Sequence, residues 1–219
     1  MATDVEREKR LAGEAAAELA ESGMTVGLGT GSTSTYFVEA LAARGLDLRC
    51  VATSLATEQT ARTLGFDIVR FEGPDSPLRL DLAVDGADQV AVNGWIVKGG
   101  GGAHTREKLV AAAADRFVVV VSSDKLVERI AAPIPLELLS FGLGATLARL
   151  GSAELRDAPP TPDGGVLADW VGDVGEPAKL ALELAATPGV VEHGLFSQEL
   201  VAEVLVGRED GVERLGRGG

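Results

Sequence analysis

The sequence predicts an α/β protein in which an open, doubly wound parallel sheet is joined to a smaller α+β domain. Three observations lead there. Through residue 125, short apolar runs alternate with amphipathic stretches, the βαβ pattern of a parallel sheet covered by helices on both faces. One of those runs, Phe117 to Val121, holds five apolar residues in succession, as expected of a central strand buried on both sides. From about Ile130 the texture changes to proline-bounded strands, short helices and hairpin-like loops, which suit a small α+β unit. The expected boundaries are 1–129 plus 202–219 for the larger domain and 130–201 for the smaller.

Taken in order, residues 4–21 place charged and Ala/Leu positions at helical spacing, and Ser22-Gly23 closes that helix. Residues 24–44 follow as strand, Gly/Ser/Thr turn and helix, an arrangement in which a helix N-terminus and nearby hydroxyls hold a phosphate. Gly27, Gly29 and Gly31 invite comparison with a dinucleotide fingerprint, but Ser32 stands where its third glycine belongs and no acid clearly ends the next strand. Thr30, Ser32 and Thr33 suit a single terminal phosphate; the alternative is a helix merely capped by Ser or Thr. LRCVATS (48–54), FDIVRF (66–71) and LRLDLAVDGAD (78–88) are the next strands, with the helix SLATEQTARTLG (54–65) and the loop EGPDSP (72–77) between them.

The chemistry concentrates between Asp85 and Lys108. Asp85 ends an apolar run, Gly86 lets the chain turn, and Asp88 follows, so two carboxylates project from one strand terminus. After the short strand WIVK, Lys98 precedes four consecutive glycines, Gly99 to Gly102, whose backbone N–H groups can approach an anion closely. A Walker loop places its lysine after the glycines, so this is not one. Thr105 is the expected N-cap of the next helix, which puts Glu107 in its first turn. The strand at 117–121 then ends in Ser122, Ser123, Asp124 and Lys125. In a doubly wound sheet all these turns fall at the carboxyl ends of strands, where ligands bind.

Beyond residue 130, PIPLELL is an expected strand, residues 141–151 a helix, 158–162 a proline-rich loop, and VVEHGLF another strand; LVAEVLVG (200–207) returns to the first sheet, and the tail GVERLGRGG is expected to fray. Net charge is −13, which argues against a nucleic-acid partner, and arginine-over-lysine usage with so many acids suits a salt-rich cytoplasm, although GC-rich codon bias accounts for it equally well. Cys50 is the lone cysteine and reads as a small buried apolar residue. With a charged N-terminus and no long apolar stretch, the expectation is a cytoplasmic protein without membrane contact. His193 reads as structural; His104 reads as structural or as part of the helix entry, with a neutral imidazole donating to a substrate oxygen as the alternative; no metal-ligand spacing is present, so no metal is expected.

GLGTGST (27–33), DGAD (85–88), KGGGGAHTRE (98–107) and SSDK (122–125), with PLEL (135–138) and GVVEHGLF (189–196), resemble the ribose-5-phosphate isomerase A family in order and approximate spacing across nearly the whole chain. The resemblance implies a Rossmann-like domain with an inserted α+β domain, a homodimer or homotetramer, and interconversion of D-ribose 5-phosphate and D-ribulose 5-phosphate without a cofactor, in the non-oxidative pentose phosphate pathway. It implies Glu107 as general base of a cis-enediolate mechanism, and Lys98 and the loop N–H groups facing the oxyanion. Substrate contacts are implied for Thr30, Gly31, Ser32, Thr33, Asp85, Gly86, Ala87, Asp88, Lys98, Gly99, Gly100, Gly101 and Lys125, with Asp85 assisting ring opening. The sequence departs from the family pattern at His104, at Gln89 and in TSLAT (53–57). Two other readings compete. A sugar-phosphate sensor would ordinarily carry a DNA-binding segment ahead of the first strand, and a deaminase or lactonase would need His104 at the reacting centre.

Overall fold

The computed structural model describes residues 2–216. In chain order the elements are α1 (Ala2–Ala17), β1 (Thr25–Leu28), α2 (Ser32–Ala43), β2 (Arg49–Ala52), α3 (Leu55–Thr63), β3 (Asp67–Ile68), β4 (Leu82–Asp85), β5 (Gln89–Ala91), β6 (Ile96–Val97), α4 (His104–Ala113) and β7 (Phe117–Ser122). A single 3₁₀ turn, Ser123–Lys125, leads on to β8 (Leu126–Val127), β9 (Ile134–Leu138), α5 (Leu143–Leu150), β10 (Ala153–Leu155) and β11 (Val166–Trp170). The chain closes with α6 (Pro177–Ala185), β12 (Val190–His193), β13 (Leu195–Phe196), β14 (Glu203–Arg208) and β15 (Gly211–Gly216).

Two compact units result: 1–87, 106–125 and 198–219 in the first, 88–105 and 126–197 in the second. Residues 88–105 thus group with the second unit, not with the first as the sequence suggested. The reason is pairing: β5 and β6 form a small sheet in the order β13-β6-β5-β8, whose other strands come from after residue 125. Strands of two or three residues bounded by turns leave no periodicity to read, and β5 and β8 were not foreseen.

The first unit is a seven-stranded sheet in the order β15-β14-β7-β4-β1-β2-β3, parallel throughout except at β15. All six residues of β7 are buried, which accounts for its unbroken apolar run. Val26, Leu28, Phe37, Leu41, Val84, Val118 and Leu205 meet in its core with the alanines of α1. Each large side chain so buried contributes roughly 1.5–3 kcal/mol. Gly27 has a packing role: a Cβ there would stand 2.5 Å from Val110 of α4 and 2.9 Å from Ala83, so its absence lets α4 lie close on the sheet. The expected return of 200–207 to this sheet is observed as β14, which pairs in parallel with β7. Residues 211–216, expected to fray, instead form β15 on the outer edge of β14; the rest of that tail, 217–219, lies outside the described residues.

Cys50 sits fully buried in β2, and burial, aided by the Asp67 carboxylate, pushes its thiol up to about 12. On the order of one thiolate in ten thousand is then present at pH 8. Iodoacetamide should therefore leave Cys50 unmodified in native protein and label it fully after denaturation, as read by intact mass. Native-state labelling would mean that β2 and β3 open readily.

In the second unit an antiparallel sheet in the order β10-β11-β9-β12 packs apolar residues including Ile134, Leu136, Leu138, Leu180 and Leu184 together. Strand alternation turns Glu137 to the opposite face of β9 from those side chains. There its buried carboxylate accepts hydrogen bonds from the Thr105 hydroxyl at 2.5 Å and the Thr161 hydroxyl at 2.6 Å. Thr105 was expected to cap α4; the helix begins one residue earlier, and the hydroxyl is engaged by Glu137.

Candidate active site

The first unit gathers its candidate residues on the carboxyl ends of its parallel strands. The turn after β1 is held by Asp85, the last residue of β4. Asp85 is only 3% exposed, and its Oδ1 accepts from the Thr30 N–H at 3.0 Å, the Gly86 N–H at 2.7 Å and the Ser34 hydroxyl at 3.2 Å. Gly29 makes that approach possible, because a Cβ there would lie 2.2 Å from the Asp85 carboxyl carbon. Gly31 is the N-cap of α2 at φ 112°, a conformation suited to glycine, and no side chain caps the helix. The helix is therefore not closed by Ser or Thr; its uncapped first turn, which carries Ser32 and Thr33, is a donor set that suits an anion.

A hydroxyl cluster not foreseen from the sequence supports this turn. Thr30 Oγ1 lies 2.9 Å from Thr53 Oγ1 and 3.2 Å from Thr57 Oγ1, while Thr57 donates to the Gly29 carbonyl at 3.1 Å. Ser54 caps α3 by accepting the Thr57 N–H. The Ser/Thr content of TSLAT was the available signal.

Lys125 closes the 3₁₀ turn after β7. Buried Glu8 of α1 fixes that turn by accepting the Ser123 N–H at 2.7 Å. Within it Asp124 accepts from Ser122 at 2.5 Å and lies 3.4 Å from Lys125 Nζ. Burial alone would raise the Asp124 pKa, but the Ser122 hydroxyl and the Lys125 charge outweigh it and hold the carboxyl below its ordinary value. Glu107 is 5% exposed in the first turn of α4, where the helix dipole favours a carboxylate.

The second unit holds Lys98, Gly99 to Gly102 and Asp88. Lys98 directly follows β6, is 3% exposed, and carries its Nζ 5.8 Å from the centre of the Phe196 ring. Its backbone N–H donates to the Gly194 carbonyl at 2.9 Å. Asp88 Oδ2 accepts the Gly100 N–H at 2.8 Å, so this acid shapes the glycine loop directly. Gly99 adopts φ 101°, and a Cβ there would meet the His104 ring at 2.6–2.8 Å. His104 is fully buried, packed against that glycine. Among the described residues no group of acids, histidines and cysteine could hold a metal ion, and no helix is long and apolar enough to cross a membrane.

Matching this geometry, the model of the family described as ribose 5-phosphate isomerase A (phosphoriboisomerase A) covers residues 49–211. The chain is 45% identical to the ribose-5-phosphate isomerase A of Natronomonas pharaonis, over 95% of this chain and 96% of that one. It is similar in structure to ribose 5-phosphate isomerase A from Neisseria gonorrhoeae, with TM-score 0.92, 29% identity and 99% of both chains covered. A solved D-ribose-5-phosphate isomerase in complex with phospho-erythronic acid superposes with TM-score 0.89 at 33% identity, covering 97% of this chain and 99% of that one.

Proposed function

We infer residue roles from one premise: the chain belongs to the ribose 5-phosphate isomerase A family and is an isomerase of ribose 5-phosphate. The observation that carries the site assignment is Glu107, a carboxylate 5% exposed in the first turn of α4. Shielded from water, it acts as the base. It removes the proton from C2 of the open-chain aldose, the C–H electrons form the C1–C2 double bond, and the C1 carbonyl becomes an oxyanion. Returning the proton to C1, while the hydroxyl hydrogen passes from O2 to O1, leaves the ketose. Atoms and charge balance with no cofactor.

The phosphate is assigned to the uncapped start of α2, with the Thr30, Ser32 and Thr33 hydroxyls and the Lys125 ammonium. Lys98 and the N–H groups of the glycine loop stabilise the enediolate oxygens. Asp85 assists opening of the furanose ring and, through Oδ1, keeps the phosphate turn in shape; Gly86, Ala87 and Asp88 contact the sugar hydroxyls. Phospho-erythronic acid, bound by a relative, carries a phosphate on a short carbon chain, which supports reading the start of α2 as a phosphate subsite.

The reading extends to a cytoplasmic enzyme of the non-oxidative pentose phosphate pathway that works as a homodimer or homotetramer. In the second unit Phe141, Leu182 and Leu139 are 91%, 73% and 52% exposed, which supports assembly through that unit. The test is conversion of ribose 5-phosphate to ribulose 5-phosphate by purified protein, with and without EDTA, at low and molar salt. Turnover is expected to survive EDTA; complete loss on chelation would overturn the cofactor-free mechanism.

A further inference from the structure

Arg156 was not among the candidate residues, yet it holds the glycine loop from behind. It lies just past β10, where its N–H donates to the Leu167 carbonyl at 3.0 Å. Its Nε and Nη2 donate to Asp169 Oδ2 and Oδ1 at 2.7 and 2.6 Å, a bidentate pair with side chains only 18% and 22% exposed. The remaining nitrogen, Nη1, donates to the carbonyl oxygens of Gly99 and Gly100 at 2.9 and 3.1 Å.

That last pair of bonds sets the loop's chemistry. A trans peptide carries its C=O and N–H on opposite sides. Two successive carbonyls drawn to one guanidinium therefore turn the N–H groups of Gly100 and Gly101 away from it. The first goes to Asp88 Oδ2. The second makes no hydrogen bond among the described residues. Four glycines would otherwise sample many peptide orientations, and a donor helps the transition state only when it is already aimed. A lysine could not serve, since it lacks the fork that binds Asp169 and the two carbonyls together.

We propose that Arg156, locked on Asp169, is a positioning residue for the isomerisation: it fixes the Gly99 and Gly100 peptide planes so that the Gly101 N–H is presented to the enediolate oxygen. The proposal rests on the reading of this loop as the oxyanion side of the site. It touches no substrate and acts only through the backbone.

The test compares Arg156→Met, which keeps the apolar stem, Arg156→Lys, which keeps the charge, and Lys98→Met as the reference for the loop's role. For both Arg156 variants kcat is expected to fall on the order of 10- to 100-fold. KM and the inhibition constant of inorganic phosphate, which reports the start of α2, are expected to change by less than about threefold, since neither depends on a donor used only in the transition state. In a third Arg156 variant, Arg156→Ala, whose truncation leaves room for the ion, free guanidinium at sub-denaturing concentration should recover part of the lost kcat, and it should recover none of that of Glu107→Gln. Wild-type kcat in either Arg156 variant, with Lys98→Met impaired, overturns the positioning role alone. Wild-type kcat in Lys98→Met as well overturns the reading of the loop. A parallel fall in kcat, phosphate affinity and melting temperature, with no guanidinium rescue, reduces Arg156 to a scaffold residue and also overturns the proposal.

Discussion

Replacing Glu107 with Gln should lower kcat by about 10²- to 10⁴-fold, the range that a positioned general base supplies. The amide matches the carboxylate in shape but cannot accept a proton from carbon at any useful rate. Because Glu107 lies in the first turn of α4 with little solvent contact, Gln should fit without repacking, and the melting temperature should move little. KM should stay within a few-fold, since the phosphate contacts assigned to α2 and Lys125 are untouched. Exchange of the C2 hydrogen with solvent deuterium, followed by NMR, should disappear in step with turnover. Undiminished turnover would remove Glu107 from the mechanism.

Asp85 separates fold from chemistry through two substitutions. Asp85→Ala removes the single oxygen that accepts from Thr30, Ser34 and Gly86; the Gly86 N–H keeps the Ser34 hydroxyl at 3.1 Å, while the Thr30 N–H loses its acceptor. At roughly 1–3 kcal/mol for an unsatisfied part-buried donor, the loss should be about 2 kcal/mol. That corresponds to a fall of roughly 4–8 °C in melting temperature for a chain of this size. Asp85→Asn keeps an oxygen in place and should melt within a few degrees of the wild type, so its turnover reports the carboxylate charge by itself. Equal melting of the Ala and Asn variants would show that the turn after β1 does not depend on Asp85.

How much of this was legible in the sequence follows from which signals are local. The parallel strands announce themselves because a strand buried on both faces must be apolar throughout, as β7 is. Asp85 stands out because a charged side chain ends an otherwise apolar strand, and the glycine run because consecutive glycines carry a backbone cost. The small sheet β13-β6-β5-β8 left no such trace, since its strands are two or three residues long and are defined by partners distant in sequence. Thr105 was misassigned for a related reason: a threonine before a helix looks like a cap, and only the fold reveals Glu137 waiting for its hydroxyl. Arg156 was invisible because it bonds to two carbonyls 57 and 56 residues away, and a backbone acceptor has no letter in the sequence.

The threading of the first unit also dictates when a newly made chain can finish it. Strand β14 pairs along β7, joining Glu203 to Val118, and Gly207 runs so close to α1 that a Cβ there would collide with the Glu8 backbone. On the ribosome, α1 and the strands through β7 emerge long before β14, so this sheet waits with one side of β7 unpaired while the whole second unit is synthesised. Since Glu8 also braces the turn that carries Lys125, that turn cannot be expected to settle until the final strands have left the exit tunnel. Nascent chains stalled before residue 203 should therefore be protease-sensitive and open to association along β7, whereas release of residues 203–216 should close the sheet in one late, cooperative step.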